Sequence, residues 1–248
     1  MWWKKHKWRV IVPAFLIALL AFAYWFGGNA PGLQGWKVEK RAVETAAPAP
    51  APTPTPEAAS ADYSQGDAAY SAAQGMELDP ETGLDRYGTS AVPEGMPVPV
   101  EPEDVEITDE EHRCTISISC ATILDNMDWL GPEKVELVPE DGWILKPMEV
   151  IFYDGESVFN VLLRTCKQQG IHLEFSNTPI YNSAYIEGIH NLYEFDCGSE
   201  SGWMYAVNGW YPNYGCSRYG LRDGDVIEWN FTCRRGFDLG AEYALGGS

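Results

Sequence analysis

The chain has little positive charge. Lys and Arg total 17 against 36 Asp and Glu among 248 residues, a formal net charge of −19. Binding nucleic acid needs a surplus of basic side chains for phosphate, and this composition excludes it. Histidine is scarce as well: His6, His112, His172 and His190 are the full set. Catalytic signatures are missing, with no zincin helix, nucleophile elbow, phosphate-binding loop or dinucleotide fingerprint. No Cys-x-x-Cys pair offers structural-zinc spacing. The acids of "ELDPETGLDRYG" lack the EF-hand glycine and terminal Glu. Internal repeats are absent too. These absences point away from an enzyme, and no catalytic residue, metal site or cofactor is assigned.

The basic residues that exist are unevenly placed. Lys4, Lys5, Lys7 and Arg9 crowd the first nine positions, and no acid lies before residue 30. The run "VIVPAFLIALLAFAYWF", Val10 to Phe26, then carries no charge. A bilayer core takes about 20 apolar residues, with about 17 near the lower limit. The basic flank predicts a cytoplasmic N-terminus, with Tyr24, Trp25 and Phe26 at the outer interface. Residues 1–30 therefore read as an uncleaved membrane anchor, with a cleaved signal peptide as the alternative. On either reading the rest of the chain is exported: a single-pass protein with an extracytoplasmic C-terminal domain, or a secreted one.

Residues 31–112 contain little that could form a core. "AAPAPAPTPTPEAAS" alternates Pro with Ala or Thr and reads as polyproline II. "PVPVEPEDVEITDEE" is charged, Pro-rich and expected to stay solvated. The whole stretch reads as a disordered, acidic linker. The cysteines come later: Cys114, Cys120, Cys166, Cys197, Cys216 and Cys233. An even number in an exported domain makes all six disulfide candidates, with 15 connectivities open, and buried free thiols are the alternative. One pairing can be argued against. "CTISISC" reads as a strand whose ends lie ~20 Å apart at ~3.3 Å per residue. A disulfide needs Cα atoms within roughly 7 Å, so Cys114 and Cys120 should not join each other.

Residues 113–235 carry the periodic segments. "CTISISC" and "MEVIFY" read as strands. "SVFNVLLRTCKQQG" is the clearest helix, with Ser157 as N-cap and Gly170 at its end. "IHLEF" reads as a third strand, and "YNSAYIEGIHNLYEFD" as irregular chain ending in a strand. "WMYAV-NG-WYP" has the Asn-Gly signal of a tight hairpin. "GLRDGDVIEWNFTC" supplies a turn and the final strand. Strands around one helix predict an α+β fold, a β-grasp-like mixed sheet with one packed helix. Residues 236–248 read as a flexible tail.

Rings concentrate in "GWMYAVNGWYPNYGC". Trp203, Tyr205 and Val207 alternate onto one face of a strand. Trp210, Tyr211 and Tyr214 follow the turn. Two readings stand side by side. The rings can stiffen the sheet as cross-strand pairs. Alternatively Trp210, Tyr211 and Tyr214 form an exposed platform, with Asn213 adding amide hydrogen bonds. On the second reading Trp203, Tyr205, Trp210, Tyr211, Asn213 and Tyr214 are the candidate ligand-binding residues.

Taken with "DGESVFNVLLRTC", the stretch "SGWMYAVNGWYPNYGCSRYGLRDGDVIEW" resembles the transcobalamin-like C-terminal domain family, also called domain of unknown function 4430. The Gly-Trp-Met-Tyr strand, the Val-Asn-Gly turn and the Asp-Gly-Asp-x-Ile-Glu-Trp strand carry the resemblance across 113–235. It implies a β-grasp-like module, with Trp203, Tyr205, Asn208, Gly209, Asp225 and Trp229 in structural roles and no catalytic residues. Bacterial members are typically exported by Gram-positive cells and displayed on the surface. In the animal carriers of the family, cobalamin lies between this small domain and a large helical one, which residues 31–110 do not supply. The resemblance thus implies a binding module for a corrinoid or similar flat ligand. A surface module docking another protein or the envelope is the second function in view. Cys216 is expected to pin the aromatic loop, with Cys197 as its partner.

Overall fold

The computed structural model describes residues 66–245. The apolar run Val10–Phe26 and the Pro/Ala alternation before residue 66 lie outside the described residues. Among the described residues no helix is long and apolar enough to cross a membrane.

Among the described residues, seven strands and three α-helices make a mixed α+β architecture. The strands are β1 (Glu111–Ser119), β2 (Trp143–Tyr153), β3 (Leu173–Thr178), β4 (Ser183–Ile189), β5 (Leu192–Tyr193), β6 (Gly202–Val207) and β7 (Val226–Thr232). The helices are α1 (Ala68–Ala73), α2 (Ala121–Leu124) and α3 (Val158–Gln169). One sheet has the order β2-β1-β7-β6, and a second has the order β3-β4-β5. β1 and β7 run parallel at the centre of the first sheet, from Thr115 opposite Val226 to Ser119 opposite Asn230. The outer pairs, β1 with β2 and β6 with β7, are antiparallel.

The helix α3 forms where capping chemistry places it. The Ser157 hydroxyl accepts from the Asn160 amide, and Asn160 Oδ1 accepts from the Ser157 amide at 2.9 Å, a closed capping box. Gly170 ends the helix at φ 70°, a left-handed position that costs glycine nothing. Val158, Val161, Leu162 and Cys166 face inward and share one core with Ile116, Ile118, Ile227 and Trp229. A smaller core gathers Cys120, Ile123, Leu130, Leu192, Cys197, Phe231 and Cys233. Cys114, inside β1, and Cys120, directly after it, therefore belong to different cores.

Four sequence-based expectations are corrected. First, "YNSAYIEGIHNLYEFD" is largely regular: β4 alternates buried Ala184 and Ile186 with outward Tyr185 and Glu187. Its Gly188 is required by a neighbour, since a Cβ there would meet the Tyr193 ring at 2.7 Å. Second, Asn208 and Gly209 form the tight turn, at φ 54° and 79°. However, the second arm of that hairpin is a single bridge from Val207 to Trp210, and β6 pairs with β7 instead. Pro212 has no N–H with which to extend the arm. Third, residues 66–110, expected to be disordered linker, are folded. α1 is capped by Asp67, whose side chain accepts from the Tyr70 amide, and Val92 is fully buried in the main core. Fourth, the tail packs: Ala241 is buried, and the Tyr211 amide donates to Tyr243 Oη at 3.2 Å.

Candidate functional site

The predicted aromatic platform lies inside the protein. Trp210 is 2% exposed, and Tyr205 and Tyr214 are buried beside it. Their rings form one cluster with Tyr219 and Trp229. Centroids lie 6.0 Å apart for Trp210–Tyr214, 6.1 Å for Tyr214–Tyr219 and 5.5 Å for Tyr205–Trp229. The hydroxyls of Tyr205 and Tyr214 are satisfied internally, as buried tyrosines require, whereas the buried Trp229 Nε1 has no partner. Tyr205 Oη donates to Tyr214 O at 2.9 Å, and Tyr214 Oη donates to Pro97 O at 2.7 Å. Burial pushes both phenols well above the ordinary tyrosine value. The expectation of an exposed platform is thus corrected for Trp210 and Tyr214, which are core.

The other candidates are half-buried and already engaged. Tyr211 Oη accepts from Asn230 Nδ2 at 3.0 Å, and burial raises its phenol to about 12. Asn213 Nδ2 donates to Ser90 Oγ at 2.7 Å and to Ser90 O at 3.2 Å. Trp203 Nε1 donates to Leu192 O at 2.8 Å, and its ring meets Phe231 edge-on at 5.2 Å. Asn208 and Asp225 serve the fold, in the roles the resemblance implied for them. Asn208 Nδ2 donates to Asp225 Oδ1 at 2.8 Å, and Asn208 Oδ1 accepts from the Val226 amide at 2.9 Å.

What covers the rings is the segment expected to be solvated. Arg218 is its anchor on the module, 1% exposed. Its guanidinium donates to Asp85 Oδ2 at 2.7 Å, Glu101 Oε1 at 2.8 Å and Thr89 Oγ1 at 2.8 Å. It also lies 4.9 Å from the Tyr87 ring centroid. The Val100 amide donates to Arg218 O at 2.9 Å. So the acids of "ELDPETGLDRYG" have structural work: Asp79 Oδ1 accepts from the Glu81 and Thr82 amides, and Asp85 neutralises a buried arginine. Among the described residues no group of His, Cys, Asp and Glu is arranged to hold a metal ion.

Exposed rings occur elsewhere, around residues 194–201. Phe195 is 62% exposed, Trp129 49% and Tyr185 48%. Tyr185 Oη donates to Glu194, the residue before Phe195. Trp129 lies over the loop further on: a Cβ built on Gly198 would sit 3.8 Å from its ring. The loop itself is well tied. The Phe195 amide donates to Ser201 O at 3.1 Å, the Cys197 amide to Ser201 Oγ at 3.1 Å, and the Glu194 amide to Glu187 O at 3.0 Å. Lys134 pairs with Asp196 at 2.5 Å and sits 4.7 Å from the Tyr193 ring centroid. Phe195 has φ 68°. A bulky side chain in the left-handed region costs roughly 1–2 kcal/mol, and such outliers persist only where surrounding contacts impose them.

The electrostatics of this face are acidic. Tyr193 Oη donates to Glu174 Oε2 at 2.7 Å, and that bond, with burial and the charge of Glu174, raises its phenol. Burial and then Glu194 raise the Tyr185 phenol. Both tyrosines therefore stay neutral donors toward carboxylates. No sequence signal marked Phe195 or Trp129 as exposed, because exposure is set by contacts distant in sequence.

Residues 155–233 match the family described as "Domain of unknown function (DUF4430)". The match covers about a third of the chain. The match runs from the turn before α3 to the residue after β7, so β1 and β2 precede the matched part. Two solved structures are similar to the chain. One is haptocorrin in complex with Cbi, at 13% identity and TM-score 0.37, covering 51% of this chain and 26% of that one. The other is a putative metal binding protein from Ruminococcus gnavus ATCC 29149, at 14% identity and TM-score 0.28, covering 49% and 96%. The chain thus spans about a quarter of the haptocorrin chain. A search of curated proteins finds no match.

Proposed function

We propose that this protein is a membrane-anchored, extracytoplasmic binding module of β-grasp-like build, non-enzymatic, that takes a flat ligand on the rings around its DUF4430 loop 194–201. The observation that carries the reading is Phe195. A large ring is held in a costly backbone conformation, faces solvent, and sits on a loop fixed by at least four hydrogen bonds. Exposed apolar rings on a fixed frame suit stacking, since little ordering remains to be done on binding. Trp129 and Tyr185 flank it at either end of the loop, one through Gly198 and the other through Glu194. The family resemblance makes a corrinoid the first candidate ligand. The parallel centre between two antiparallel strand pairs supports the β-grasp-like reading. The charge-free run at Val10–Phe26 behind four basic residues supports the anchor.

Equilibrium dialysis of the purified full chain against cobalamin tests the proposal, because the ligand's colour reports its own retention. Retention that falls at least tenfold in Phe195→Asn supports it. Asn tolerates the left-handed region, so this variant should keep its stability or gain up to about 1 kcal/mol. Stability and binding would then move in opposite directions, which no general loss of folding produces. No retention of cobalamin would sink the corrinoid reading. Retention that Phe195→Asn leaves intact would move the site elsewhere.

A further inference from the structure

Cys197 and Cys233 bring their sulfur atoms to 3.3 Å. Cys197 belongs to the 194–201 loop, and Cys233 directly follows β7. Both are buried in the smaller core, and in this structure they are free thiols, as are Cys114, Cys120, Cys166 and Cys216. Their other sulfur contacts are weak: Cys197 Sγ lies 3.6 Å from Asn126 O, and Cys233 Sγ 3.8 Å from Thr122 Oγ1. Cys216, the expected partner of Cys197, sits in the main core instead, its sulfur 3.6 Å from Ala184 O. The pairing of Cys197 with Cys216 is therefore corrected.

We propose that Cys197 and Cys233 are joined in the native protein by a disulfide that fixes the Phe195 loop to the end of β7. The bond needs its sulfurs at about 2.05 Å, a modest approach from the present contact. The two residues are 36 apart in sequence. The closed loop contains β6, the Asn208-Gly209 turn, the ring cluster and β7. Phe195 lies two residues from one end of the bridge.

The chemistry requires an oxidant, and an exchange-active protein disulfide of the extracytoplasmic space is the class that supplies it. One thiol loses its proton and attacks that disulfide, forming a mixed disulfide and releasing one oxidant thiolate. The second thiol loses its proton and displaces the other oxidant sulfur. Two protons and two electrons leave the pair, and the oxidant's disulfide becomes two thiols. Burial raises both cysteine thiols, Cys233 to about 12, and the pair's own contact adds to the rise at Cys233. Thiolate is the reactive form. Oxidation therefore takes place while the chain is still folding, and the folded, reduced protein oxidises slowly. The inference rests on the extracytoplasmic location within the proposed function, but not on any ligand.

The full chain, refolded in reduced and oxidised glutathione and capped with iodoacetamide, should show four capped cysteines. Digestion with trypsin and Glu-C separates Cys197 from Cys216 after Glu200, and one linked pair, 197 to 233, is expected. Its thermal midpoint should exceed that of the reduced protein by about 5–15 °C. Six capped cysteines, or linkage of either residue to Cys120 or Cys216, would overturn the pairing. The same capping is applied before lysis to cells that make the protein. Linkage after refolding with six free thiols in cells would overturn the native bond, and with it the extracytoplasmic location. Linkage in both upholds the proposal, whatever the dialysis against cobalamin returns.

Discussion

Arg218→Met is expected to cost the fold about 3–5 kcal/mol and to loosen residues 85–101 from the module. Breaking a buried ion pair from one side leaves the other charge without compensation, and that residual charge dominates the loss. Asp85 is the charge at issue, with its side chain 8% exposed. Glu101 reaches water more easily, which places the effect toward the lower end. Urea unfolding measures the stability. Hydrogen exchange measures the detachment, reading the Val100 amide that now donates to Arg218 O. An unfolding free energy within about 1 kcal/mol of the parent would contradict the role given to Arg218.

The pH dependence of that loss has a definite sign. Burial raises the Asp85 carboxyl. The Arg218 hydrogen bond, the Thr89 and Tyr87 amides and the Arg218 charge outweigh it and hold the group below its ordinary value. The folded-state value is thus lower than the unfolded one. The corresponding stability is complete above the unfolded carboxylate value of about 3.9 and disappears as pH falls through the folded value. In Arg218→Met the burial contribution remains while the opposing arginine is gone. The gap between parent and variant should therefore be widest near neutral pH and narrow below about pH 4. A gap independent of pH would show that lost packing, and not charge, explains the variant.

Trp210→Ala is expected to destabilise the protein by about 3–5 kcal/mol. Its indole packs against Tyr214 and Tyr219 in the middle of the ring cluster. Removing it leaves a cavity that neighbours held by their own hydrogen bonds can only partly fill. Tyr205 and Tyr214 are tied to backbone carbonyls at their hydroxyls, so neither swings freely into the gap. Denaturant melts and near-UV circular dichroism would both register the change. Trp129→Ala makes the contrast, since a ring half in water should cost under about 1 kcal/mol. A binding defect in Trp210→Ala would be secondary to this loss of stability. Equal effects from the two tryptophans would contradict the burial that separates them.

Local chemistry was legible in the sequence, and long-range burial was not. Ser157 and Gly170 bracket α3 because capping depends on residues within one turn of each other. Asn208-Gly209 marks its turn for the same reason. Residues 66–110 looked like solvated chain because their composition was weighed alone. Their order depends on Arg218, which is 133 positions beyond Asp85 and 117 beyond Glu101. The same distance explains the misplaced platform. Trp210 and Trp129 are equally large and apolar, and only the contacts around Trp210 and the segment laid over its neighbour Tyr214 separate their fates. Phe195 was silent because its left-handed backbone is imposed by the frame around it, with no glycine or asparagine to announce it.

The parallel pairing of β1 with β7 governs how the chain reaches this structure. Arg113 and Asp223, which meet beside that pairing, are 110 residues apart. Synthesis at roughly 5–20 residues per second keeps β1 waiting on the order of 5–20 s for its partner. During that interval β1 and β2 form a two-stranded ribbon, marginal by itself, with Ile116 and Ile118 lacking their cover. Contact order this high slows closure further. A chain synthesised from its N-terminus thus completes its central sheet last. Aggregation and chaperone capture compete most strongly in that waiting period.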